Sequence, residues 1–196
     1  MSLGPSLMFL LTKPDVEVIR RFIASQRDGS FTYNPVGATR TQPPAGYTVD
    51  HNRINLGEGE KMYERAIAAL RSWKHFDLGW VRIVPPGEVI KPETTVAVEA
   101  KTFGFWSLSA CRIVYVIDEK EPERKFGFAY GTLQDHVERG EERFTIEWHK
   151  DDSVWYDIYA FSRPHHPIVR LAFPLARMLQ KRFARDSLAS IVKASR

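Results

Sequence analysis

From Gly79 to Phe161 the chain reads as six strand-like segments in succession, with no helical stretch between them. The segments are Trp80–Val84, Thr94–Phe103, Phe105–Ile117, Lys125–Leu133, Arg143–His149 and Val154–Phe161. Breaks rich in glycine, proline or charge separate them: Pro85-Pro86-Gly87, Gly104, Asp118–Glu123, Arg139-Gly140 and Lys150–Ser153. Connections this short join antiparallel neighbours.

Helical periodicity brackets this run. Pro14 to Arg27 opens with Pro14, Asp15 and Glu17, which suit a helix N-terminus, and repeats Val16, Ile19, Phe22 and Ile23 on one stripe. Asn34–Gly46 holds three prolines and two glycines, so it is an extended loop, packed by Phe31 and Tyr33. Tyr47–Leu56 is a further strand, and Gly57 and Gly59 turn the chain. They lead into a helix over Glu60–His75, striped by Met62, Ala66, Ala69, Leu70 and Trp73. Beyond Pro164 the period is helical again, through Ile168, Leu171, Ala172, Leu175, Leu179 and Phe183. Strands in a run with helices at either side make an α+β domain, its helices gathered on one face of an antiparallel sheet.

The lone Cys111 sits in an apolar run, which makes it a small buried residue, excludes an intramolecular disulfide and favours a cytoplasmic setting. The apolar patch Leu7–Leu11 is too short for a signal-peptide core. No apolar run elsewhere is long enough for a transmembrane span. From Arg163 onward eight basic residues face Asp186 alone, the pattern of a solvated helix face or of a surface for anions, membrane or nucleic acid. No nucleic-acid motif accompanies them, so nucleic acid is not the favoured partner.

Candidate chemistry gathers after the fourth of the six strands. Along Phe126–Leu133 the residues Phe126, Phe128, Tyr130 and Thr132 share the face that points inward, and continued alternation adds Gln134, His136 and Glu138. Phe144, Ile146 and Trp148 face inward on the next strand by the same rule. His136 and Glu138 can share a proton or supply two metal ligands, and Glu141 and Glu142 can raise the pKa of His136 or complete an acid–base set. No third metal ligand is evident, although His51 and His149 are available. The same charges also suit a hairpin corner, with Arg139 and Arg143 pairing the glutamates. His165-His166 fits a turn, and Asp157 either binds a polar group of a ligand or pairs with an arginine.

Several segments resemble the uncharacterised UPF0548 or DUF1990 family: Tyr33-Asn34-Pro35-Val36-Gly37, Gly57-x-Gly59, Gly79-Trp80-Val81, Phe128–Leu133, and His136-x-Glu138-x-Gly140-Glu141-Glu142-x-Phe144. The resemblance spans Tyr33 to Arg185. It implies a helix-grip fold similar to START and Bet v 1-like proteins, a curved antiparallel sheet wrapped around a long C-terminal helix, and no established activity. Residues 1–46 are then a helix and extended segment packed on a helix-grip-like domain over 47–196, one domain overall.

The expectation is a binding protein for an apolar or amphipathic small molecule in an aromatic-lined cavity, touched by Phe128, Tyr130, Thr132, Trp148 and His51, with no cofactor and no metal. The alternatives are an enzyme of this fold using His136 with Glu138 or Glu141 as acid–base groups, and an anion, membrane or nucleic-acid binder using the basic helix.

Overall fold

The computed structural model describes residues 8–121, 123–165 and 173–196. Eight strands form one sheet: β1 (Met8–Leu10), β2 (Thr48–Glu58), β3 (Val81–Val84), β4 (Thr95–Thr102), β5 (Phe105–Glu119), β6 (Arg124–Thr132), β7 (Glu138–Trp148) and β8 (Ser153–Pro164). Among the described residues three α-helices accompany them: α1 (Val16–Gln26), α2 (Glu60–Arg71) and α3 (Phe173–Ser195). The strands run in the order β2-β8-β7-β6-β5-β4-β3, all pairs antiparallel, and β1 adds to β5. The sheet is curved, and with α3 it forms a helix grip.

Each face has its own cover. On the concave face Phe126, Phe128, Phe144, Ile146, Tyr156 and Ile158 pack beneath α2 and α3. On the other face α1 sets Ile19, Phe22 and Ile23 against Ala97, Leu108 and Ala110. Asp15 caps α1 by accepting from the Val18 amide at 2.8 Å, so Pro14 precedes the cap and lies outside the first turn. Asn34–Gly46 packs on this same outer face, with one short 3-10 turn at Ala38–Arg40. Cys111 is fully buried, and burial pushes its thiol well above the usual range.

One boundary departs from the sequence reading. Strand β7 begins at Glu138, five residues before the expected Arg143, and the turn lies at residues 133–137. Arg139-Gly140 is therefore strand, paired with Arg163 and Ser162 of β8. A Cβ on Gly140 would sit 1.9 Å from the Phe161 carbonyl oxygen, so close approach of the neighbouring strand, and no turn, demands this glycine. Of the C-terminal helical stripe, Ile168, Leu171 and Ala172 lie outside the described residues, as does His166.

Candidate functional site

Two structures divide the concave face. At one end α2 lays Tyr63 against Trp148, and the segment after it drives Trp73, His75 and Phe76 between Phe128 and Phe144. That end is solid core. At the other end α3 stands off the strands and leaves a cavity of about 1020 Å³. Its walls are mainly apolar, with Phe76, Val98, Ile158, Leu179, Phe183 and Leu188 among them.

Polar groups gather on one side, because β2, β8, β7 and β6 each turn a polar residue inward. In register, Asp50 of β2 lies across from Ala160 of β8, Ala160 from Glu142 of β7, and Glu142 from Tyr130 of β6. The Tyr130 hydroxyl donates to Glu142 at 2.7 Å. Burial, opposed by that hydrogen bond and reinforced by the charges of Glu138 and Asp50, pushes the Glu142 carboxyl up to about 7. The Glu138 carboxylate accepts from Gln180 of α3 at 2.6 Å, and burial raises its pKa. Gln180 also donates to Ser162 at 3.0 Å. Arg177, one turn earlier on α3, holds Asp50 through two bonds of 2.5 and 2.6 Å.

His136 lines the cavity from the β6–β7 turn, yet it does not pair with either expected glutamate side chain. Its Nδ1 accepts from the Glu138 backbone amide at 3.0 Å. Burial lowers its pKa to about 4, so at neutral pH it is an uncharged ring. Glu141 has the opposite parity to Glu142 and points through the sheet to the outer face. There its carboxylate accepts from Tyr33 Oη at 2.6 Å, Gly37 N at 2.7 Å, Thr39 N at 2.9 Å and Thr39 Oγ1. It is a structural clamp on the N-terminal segment. Glu141 borders the cavity, but alternation along β7 commits its carboxylate to the outer face, so the expected acid–base grouping of His136 with the Glu141 side chain does not form.

The expected ligand contacts divide similarly. Tyr130 and Thr132 line the cavity. Phe128 is fully buried in the core beneath Trp73 and His75, away from the void. Trp148 packs on Tyr63 at the filled end and donates to Asp152. His51 lies on the outer face, its side chain half exposed, bonded to Asp157, which also takes Arg143 at 3.4 Å. Phe128 and Trp148 miss the cavity because inward parity brings a side chain to the concave face without saying which end is filled by α2, whereas His51 has the opposite parity to Asp50 and Asn52 on β2. Among the described residues, no group of three His, Cys, Asp or Glu is placed to hold a metal ion.

Sequence reasoning names Glu142 for the acid–base set but leaves it off the inward face. The signal existed: Phe144 was placed inward, and two residues back along the same strand is Glu142. Starting the strand at Arg143 hid it.

The model for a domain of unknown function, DUF1990, matches residues 32–190. A UPF0548 protein of Dictyostelium discoideum is 36% identical over 206 residues, spanning 95% of each chain. A UPF0548 protein of Deinococcus radiodurans is 37% identical over 201 residues, 96% of this chain and 99% of that one. The crystal structure of the Zhui aromatase/cyclase from Streptomyces sp. R1128 aligns with a TM-score of 0.53 at 7% identity, over 76% of this chain and 93% of that chain. That likeness carries the fold alone.

Proposed function

The chain belongs to the DUF1990 family, and on that premise we propose that it binds one small apolar or amphipathic molecule inside the helix grip. The observation that carries this reading is the cavity itself: about 1020 Å³, mostly apolar in its walls, with polar side chains gathered on one side. Its volume matches the upper end of small-molecule sites, about 300–1,000 Å³. An amphipathic ligand would lay its apolar body along Val98, Ile158 and Phe183 and its polar end toward Tyr130 and Glu142. Thermal-shift measurements across a panel of lipids and aromatic metabolites test this. A ligand at a hundred times its Kd adds about 2.7 kcal/mol of stability. For a domain of this size that corresponds to a melting shift of roughly 5–10 °C. A flat response across the panel, with nothing co-purifying by native mass spectrometry, sinks the reading.

A second reading, catalysis in the same cavity, is favoured by one observation: Glu142 holds a carboxyl raised to about 7 beside the Tyr130 hydroxyl. Such a group passes a proton in either direction near neutral pH, so the acid–base role falls to Glu142 in preference to His136. Any turnover found on the panel would drop at least about a hundredfold in Glu142→Gln; an unchanged rate dismisses the role. Anion binding through α3 has less support. Arg177 is spent on Asp50, while Arg182 and Arg185 both pair with Asp186.

A further inference from the structure

The polar side of the cavity carries an imbalance of charge. Asp50, Glu138 and Glu142 all line it, and Arg177 is committed to Asp50 through both of its terminal nitrogens. Glu138 is held by the neutral Gln180, and Glu142 by the neutral Tyr130. Neither has a salt-bridge partner among the described residues. Lys181 and Arg185 also reach the cavity wall, without pairing to either acid. His136 supplies no compensating charge, since burial keeps its ring neutral. The titratable groups about Glu142 are Tyr130 of β6, Glu138 of its own strand, Asp50 of β2, Tyr156 of β8 and Cys111 of β5, and none is a cation.

A carboxylate desolvated without a cation is costly, and a ligand that supplies one recovers that cost. Both Glu138 oxygens are occupied by Gln180, whereas Glu142 accepts from the Tyr130 hydroxyl and lines the cavity. Extending the reading that the cavity binds an amphipathic molecule, we propose that its ligand is a cationic amphiphile whose ammonium group is received by Glu142. The amine donates to the Glu142 carboxylate, Tyr130 braces the second oxygen lone pairs, and the apolar body fills the space beneath Leu179 and Phe183. Carboxylate or phosphate head groups meet repulsion from the same acids.

Because Glu142 is largely protonated below pH 7 in the empty protein, taking up an ammonium group expels its proton to solvent. Calorimetric titration at pH 6.5 with decylamine, decanol and decanoate reads both affinity and proton release. Decylamine is expected to bind at least about tenfold tighter than decanol, with release approaching about 0.75 proton per ligand. Glu142→Gln is expected to bring decylamine affinity down to that of decanol and to end the proton release; calorimetry in buffers of different ionisation enthalpy measures the protons. Equal binding of decanol and decylamine, or an amine preference that survives Glu142→Gln, overturns the inference and leaves the cavity reading standing. Binding of none of the three probes overturns both.

Discussion

His75 offers a sharp perturbation. It is fully buried, stacked on Trp73 at 5.5 Å and boxed by Phe76, Phe128, Phe144 and Tyr156 at centroid distances of 4.7 to 6.5 Å. Neither ring nitrogen finds a hydrogen-bond partner among the described residues. Burial lowers its pKa from 6.5 to about 3. A base whose folded pKa is depressed leaves stability untouched above the unfolded value and lowers it as pH falls, because only the unfolded chain takes the proton. At pH 5 the unfolded state gains about 2 kcal/mol from this single site. In a domain of this size that is roughly 4–8 °C of melting temperature. His75→Leu removes the titration. The assay is the melting temperature of both proteins at pH 7.5 and pH 5.0, where His136 and Glu142 contribute equally to each and cancel in the difference. The native protein is expected to lose about 2 kcal/mol more than the variant on acidification. Parallel losses in the two proteins would show that the ring is not sealed in the aromatic core, and the reasoning would fail.

Glu142 has the opposite sign. Its carboxyl is raised from 4.5 to about 7, so the folded state loses stability as pH rises through that window. Glu142→Gln, which keeps an acceptor for Tyr130, is expected to stabilise the empty protein at pH 8 by up to about 3 kcal/mol in chemical denaturation; a destabilised variant contradicts the assignment. Gly131 is a second test: a Cβ there would lie 2.1 Å from Tyr33 Oη. Gly131→Ala should therefore push Tyr33 off Glu141, cost about 1–3 kcal/mol, and open residues 32–46 to proteolysis; native-like protease resistance would refute the clamp.

The strand run was legible because alternation and chain breaks are local properties. Five of the six expected strands from Trp80 to Phe161 end within a few residues of those observed. The exception, β7, failed on Gly140. A glycine reads locally as a turn, and its need for contact with Phe161 of another strand is a property of the assembled sheet. The site was half legible. Parity placed Tyr130 and Thr132 correctly on the concave face. Grouping by proximity in sequence joined Glu141 to His136, although the sheet lies between their side chains. The true partner of Glu141 is Tyr33, 108 residues away, in a segment that sequence marked only as extended. Both belong to the stretches that carry the family resemblance, and their contact gives those stretches a structural reason. The cavity is set by where α3 stands off the sheet, which no local pattern encodes.

The central claim is that the space between α3 and the sheet receives an apolar molecule. Ala160 lines it, across from Glu142 and Asp50 in register, and Ala160→Trp would fill it from the sheet side. The decisive measurement is fluorescence titration with Nile red, a neutral apolar dye, against the native protein and a folded Ala160→Trp variant. Saturable binding of one dye per chain that the tryptophan abolishes is the result expected. Absence of saturable binding to the native protein, or equal binding by the variant, would contradict it.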